Sequence, residues 1–296
     1  MKQLSKQLYI AAFLVLIFSF ATAFAQEKHS IAVGDLNLNY YESTGTGQDI
    51  VFVHGNSASG LTFRKQLYGD LGKKYHIVAF DLPGHGDSDR FADVTNYSLP
   101  GYAKAISEAA KSLGMESAYF VGWSLGGHIV LEAVSMLPKA KGFVIYGTPP
   151  LGIPADFATS FFPHPAMGAA FNPELTDEEA VAFAAAFFSP GSMEDVTPFF
   201  TDIMKTDGNA RANLGASINP DGYTDEIEIV ANMTQPLMII HGVKEQLVNG
   251  AYFRNLEMPT LWNNRVEFVW NAGHATHWEA PDEFSALIDE FITDTQ

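Results

Sequence analysis

Three side chains of this 296-residue chain have the types and the order needed for nucleophilic acyl chemistry: Ser124, Glu245 and His274. Ser124 is the centre of Gly122-Trp123-Ser124-Leu125-Gly126, placed directly after the apolar run 118–121 and before the helix-like run 128–133. A strand that turns sharply into a helix holds its central residue on a strained elbow, with the hydroxyl exposed above the sheet. Glycines flank such a residue because a Cβ would clash where the two backbones pass. The same letters could be a glycine turn with an incidental serine. The strand and the helix on either side favour a nucleophile.

A serine nucleophile needs a base, and the base needs an orienting acid. His274 follows the last apolar run, 266–270, in Asn271-Ala272-Gly273-His274. Loops at the carboxyl ends of strands are where an open α/β sheet gathers its active site. His277 lies three residues on, and the two could be read as metal ligands. A metal site generally needs three or four ligands, and no histidine–carboxylate cluster supports the pair. No metal or cofactor is therefore expected, and His277 is expected behind the base or at the surface. Glu245 is the only carboxylate in the loop 241–248 after the run 237–240. It can accept the Nδ1–H of the base and fix its tautomer, or pair with Lys244 at the surface. The amide of Leu125 is expected to form one half of an oxyanion hole, and Asn56, in the loop His54–Gly60, the other. His54 and His85 sit in glycine turns and are expected to be structural.

The elements that would position these groups alternate along the chain. Apolar runs at 49–53, 76–80, 118–121, 143–146, 237–240 and 266–270 carry Val, Ile and Phe on both parities, as expected for parallel strands covered on both faces. Residues 30–41 read as an antiparallel pair at the sheet edge, and helices are expected over 101–113, 124–137 and 281–292. The alternation breaks between 148 and 233, where prolines punctuate short helices and Thr176-Asp177-Glu178-Glu179 forms a capping box. Nine phenylalanines between Phe157 and Phe200 mark an apolar insertion packed on the main domain. A minority of them is expected to line a binding site. Residues 26–148 and 231–296 are thus read as the core, and 149–230 as a helical cap.

The N-terminus has a cationic start, an apolar stretch from Leu8 to Phe20 and Ala23-Phe24-Ala25. This is the layout of a secretory signal peptide over residues 1–25, so the protein is expected to be exported, to the periplasm or beyond. Stable membrane anchoring after cleavage is not expected. The chain has no cysteine, so neither a disulfide scaffold nor a thiol nucleophile is available. Removing Lys2 and Lys6 with the leader leaves 15 basic against 34 acidic residues, a net −19. Such a surface repels polyanions, and nucleic acid is excluded as a natural partner.

The motifs His54-Gly55-Asn56, Leu82-Pro83-Gly84-His85-Gly86-Asp87-Ser88, Gly122–Gly127 and Gly273-His274 through Glu279-Ala280-Pro281-Asp282-Glu283-Phe284 resemble the α/β-hydrolase superfamily. A narrower resemblance is to the metal-independent N-acyl-homoserine lactonases of that fold. It rests on HGNSASG at 54–60, YSLPGYA at 97–103, GWSLGGHI at 122–129, GTPP at 147–150, TDGNAR at 206–211 and NAGHATHWEAPDEF at 271–284. The resemblance implies a mostly parallel central sheet flanked by helices, with a helical cap insertion. It implies Ser124, Glu245 and His274 as a triad, with Asn56 and Leu125 as the oxyanion site. The implied substrate is a small acyl lactone opened through an acyl-enzyme; a general carboxylesterase on short acyl or aryl esters stays open beside it.

Overall fold

The computed structural model describes residues 28–296; the leader read at 1–25 and its cleavage site lie outside them. The apolar runs become eight strands of one sheet: β1 (Lys28–Val33), β2 (Leu36–Glu42), β3 (Asp49–Val53), β4 (His76–Phe80), β5 (Tyr119–Trp123), β6 (Gly142–Tyr146), β7 (Leu237–Gly242) and β8 (Glu267–Val269). Their order is β1-β2-β4-β3-β5-β6-β7-β8. β1 and β2 pair antiparallel at one edge, as the alternation at 30–41 anticipates, and β3 through β8 are parallel.

Successive side chains of a strand point to opposite faces, and here each face meets its own hydrophobic layer. Val51, Val53, Phe120 and Ile145 join Tyr102, Ile106 and Ile129 on one side. Ile50, Phe52, Val121 and Val144 join Phe284, Ile288 and Phe291 on the other. The helices supplying these partners are α1 (Leu99–Ser112), α2 (Leu125–Glu132) and, after the cap, α7 (Pro281–Thr295). Between β6 and β7 lie α3 (Asp177–Ala185), α4 (Thr197–Lys205), α5 (Gly208–Ser217) and α6 (Glu226–Asn232), with shorter turns among them. The capping box forms in both directions at α3: the Glu179 amide donates to Thr176 Oγ1 at 3.2 Å, and the Thr176 amide to Glu179 Oε2 at 2.8 Å.

Several boundaries differ from expectation for identifiable reasons. α1 starts two residues early because Ser98 caps it, accepting from the Gly101 amide at 3.3 Å, with Pro100 in the first turn. α2 stops at Glu132 and gives way to a 3₁₀ turn, Val134–Met136. Leu137 precedes Pro138 and is held out of the helical region. β8 is short, with Phe268 and Trp270 exposed, because it is the open edge of the sheet. α6 begins within the span read as cap, ends two residues past it and packs beside α2, with Val230 in the same hydrophobic layer.

Candidate active site

Ser124 stands between β5 and α2 with φ 53° and ψ −118°, a conformation sparsely populated by non-glycine residues. The neighbouring strand holds it there. Its amide donates to the Tyr146 carbonyl at 2.9 Å, and the Thr148 hydroxyl donates to its carbonyl at 2.8 Å. A Cβ on Gly126 would lie 2.0 Å from the Val53 carbonyl oxygen, and one on Gly122 2.3 Å from that of Gly126. The flanking glycines are thus required by close backbone approach.

His274 and Glu245 meet beneath the cavity. His274 Nδ1 is 2.8 Å from Glu245 Oε2, and both side chains are 2% exposed. Burial works against a charged Glu245. The facing His274, through its charge and hydrogen bond, and the Leu247 amide at 2.8 Å outweigh it and hold the carboxyl below the usual range. Glu245 therefore stands as a carboxylate, Nδ1 carries the proton, and Nε2 presents its lone pair. Lys244 is exposed, and no ion pair joins it to Glu245 among the described residues. No hydrogen bond links Ser124 Oγ to the imidazole, although both residues line one cavity. Such contacts are often long in unliganded sites and tighten around a substrate.

The cap holds these loops in place. The Ala275 amide donates to the Phe187 carbonyl at 2.7 Å, and Gln246 Nε2 to that of Phe188 at 2.8 Å. Glu279 accepts from the Gly273 amide at 2.7 Å and from the Ser189 amide at 2.9 Å, joining the histidine loop to the cap. Glu279→Ala leaves two amides without acceptors and is expected to cost about 1–3 kcal/mol. Urea unfolding measures that loss, and kcat is expected to fall more than KM rises. An unchanged unfolding midpoint would contradict the bridging role.

The other histidines sort clearly. His277 is fully buried, which removes the surface alternative. It packs against Phe63, Trp123 and Tyr146, and its Nε2 lies 2.9 Å from Thr62 Oγ1. Burial, then the nearby His274 and Lys65, hold its pKa well below the ordinary histidine value. Trp123 packs at a tilt against both His277 and His274 and donates its indole N–H to the His274 carbonyl at 3.0 Å. His54 Nε2 accepts the Leu82 amide at 3.0 Å, and His85 Nδ1 bonds the Pro83 carbonyl at 3.0 Å, both as turn supports. No group of three or more metal-ligating side chains converges among the described residues.

Above Ser124 lies a cavity of about 900 Å³ that also receives Asn56, Leu125 and His274. The amides of Asn56 and Leu125 donate to no group among the described residues, so both are free for an oxygen in the cavity. The Asn56 side chain instead ties its loop to the cap, donating to the Ala170 carbonyl at 2.8 Å. Ser57 follows with φ 57° and is reached by the buried guanidinium of Arg211 at 3.4 Å. Arg211 also donates to the carbonyls of Asn172, Pro173 and Ile203. A cation in the cap therefore braces the loop that carries Asn56.

Two features escaped sequence reasoning. Phe157, Phe161, Phe162, Phe171, Phe183 and Phe187 all line the cavity, a majority of the nine and not the minority expected. Elements as short as Phe157–Ser160 and Pro165–Phe171 cannot bury aromatic faces among themselves, so the rings become cavity wall. His128 also lines the cavity and bonds the buried Glu226 at 2.8 Å. The only sequence signal was its position four residues after Ser124.

Comparison with known proteins adds to this geometry. The model of the alpha/beta hydrolase family matches residues 50–287. The crystal structure of the N-acyl homoserine lactonase AidH complexed with N-butanoyl homoserine superposes with a TM-score of 0.87 at 32% identity, covering 91% of this chain and 97% of that one. A pimeloyl-[acyl-carrier protein] methyl ester esterase of Stenotrophomonas maltophilia is 32% identical over 261 residues, 86% of this chain and 96% of its own. A biotin biosynthesis bifunctional protein, BioHC, of Teredinibacter turnerae is 28% identical over 266 residues, and the chain spans only 44% of it.

Proposed function

The chain belongs to the alpha/beta hydrolase family, and from that premise we propose that it is a serine hydrolase opening the lactone ring of N-acyl-homoserine lactones. The observation that carries the chemistry is the 2.8 Å His274–Glu245 bond at the wall of the cavity that Ser124 enters from its elbow. Ser124 Oγ attacks the ring carbonyl while His274 Nε2 takes its proton, and Glu245 stabilises the resulting imidazolium. The amides of Leu125 and Asn56 receive the tetrahedral oxyanion; donors of this kind are worth about 3 kcal/mol each. Collapse breaks the ring C–O bond, and the imidazolium returns its proton to the departing alkoxide. The opened chain remains esterified to Ser124. Water, deprotonated by His274, then hydrolyses that ester and releases an N-acyl-homoserine.

Support for the lactone comes from the phenylalanine-lined cavity, which suits an acyl chain, and from the likeness to AidH. A second reading, a carboxylesterase acting on simple esters, is favoured by the equally identical methyl ester esterase. Product mass and rate ratio separate the two. Lactone opening gives one product, heavier than the substrate by one water. The ratio of kcat/KM values is the deciding quantity, because discrimination is differential transition-state binding. The lactone is expected to win. Preference by orders of magnitude for an aryl acetate or butyrate over every acyl-homoserine lactone would overturn the lactonase reading in favour of the esterase.

A further inference from the structure

Two histidines of the cavity are left without a task by this chemistry: His164, whose Nδ1 accepts the Ala166 amide at 3.2 Å and caps a short turn, and His128. His128 lies one turn beyond Ser124 on α2, its amide 3.4 Å from the Ser124 carbonyl. Ser124 itself is not helical, but both residues line the same cavity. His128 Nδ1 is 2.9 and 2.8 Å from the two carboxyl oxygens of Glu226, which is fully buried on α6. Glu226 Oε2 also accepts the Leu151 amide at 2.8 Å, so the pair is fixed to the backbone. Burial holds the Glu226 pKa above the usual carboxylate range, with His128 and the Leu151 amide offsetting only part of that push. A carboxylate at Nδ1 fixes the proton there and leaves Nε2 as an acceptor.

The cavity thus holds two carboxylate–imidazole pairs. His274–Glu245 serves the chemistry. The other has a free Nε2 among the described residues, in a mostly apolar cavity that Leu99, Leu125, Leu151 and Leu214 also line. An acceptor in so apolar a cavity gains most from a donor that arrives with the substrate, and loses when the donor is missing.

We propose that His128 Nε2 accepts a hydrogen bond from a substrate N–H borne beside the scissile carbonyl, so that the site selects N-acylated lactones over their oxygen analogues. This rests on the lactonase reading. In an N-acyl lactone the amide nitrogen sits on the carbon next to the ring carbonyl. With that carbonyl over Ser124, the adjoining N–H lies in the cavity that His128 also lines. The acyl chain then continues toward the phenylalanines of the cap.

The test compares N-hexanoyl-homoserine lactone with α-hexanoyloxy-γ-butyrolactone, the same molecule with oxygen in place of N–H. Each kcat/KM is normalised to the hydroxide-catalysed rate of the same lactone. Wild type is expected to favour the amide by about tenfold or more, the loss typical of an acceptor left unpaired. His128→Leu alone would strand a buried carboxylate, so it is combined with Glu226→Gln, which still accepts the Leu151 amide. In that double variant the preference is expected to shrink to within about twofold, the residue expected once the unpaired-acceptor effect is removed. A wild-type ratio near one, or the same ratio in wild type and double variant, overturns the role of His128 and leaves the lactonase reading standing. Failure of wild type to open either lactone, with aryl esters still hydrolysed, overturns both.

Discussion

Ser124→Ala is expected to lower kcat by about 10⁶-fold, the loss seen when a serine nucleophile acting within a coupled set is removed. That corresponds to about 8 kcal/mol of transition-state stabilisation. The fold is expected to survive. Alanine keeps the Cβ, so the strain at φ 53° is unchanged, and the lost hydroxyl has no hydrogen bond to the His274 ring in this geometry. His274→Ala is expected to be as severe, and the double variant no worse than either, because the two groups act in one proton transfer. Single-turnover kinetics with an aryl ester, beside thermal unfolding of each variant, make the check. A tenth of the wild-type rate in folded Ser124→Ala would place the nucleophile elsewhere.

These expectations come from residues whose meaning is local. The elbow is legible because strand, glycine, serine, glycine and helix follow one another within a short stretch, and the close approach of Gly126 to Val53 is what such a sequence encodes. Glu245 and His274 are legible at one remove. Each follows a strand-like apolar run, and parallel strands deliver their carboxyl ends to the same edge. What the sequence hides is packing between distant segments. Glu226 sits in Asp225-Glu226-Ile227-Glu228, which reads as the exposed first turn of a helix. Only the docking of α6 on α2 buries it against His128. Arg211 is similar: its four acceptors come from segments that converge only once the cap has folded. Phenylalanine at helical spacing has the same pattern in a core and in a cavity wall, and periodicity alone does not separate them.

Glu245→Gln is expected to lower kcat by about 10³–10⁴-fold, approaching the loss found when the acid of a triad is made neutral. The reason is countable in hydrogen bonds. The two carboxylate oxygens accept from His274 Nδ1 and from the Leu247 amide, each at 2.8 Å. A carboxamide has one oxygen. If that oxygen serves Leu247, the NH₂ faces Nδ1, which must then be unprotonated. The ring proton moves to Nε2, the atom that has to take a proton from Ser124. If the oxygen faces Nδ1 instead, the Leu247 amide is left against an NH₂ and the imidazolium still lacks a counter-charge. The first arrangement removes the base and the second weakens it. Stability has its own signature, since the folded-state pKa of Glu245 is depressed. Its contribution is in full force above the ordinary glutamate pKa of about 4.3 and is lost as pH falls through the depressed value. The gap in unfolding free energy between wild type and Glu245→Gln is therefore expected to be widest near neutral pH and to close in acid. Glu245→Asp keeps the charge one methylene too far away and is expected to retain part of the rate. Near-normal turnover in Glu245→Gln, with an acid-independent stability gap, would show that another group orients His274.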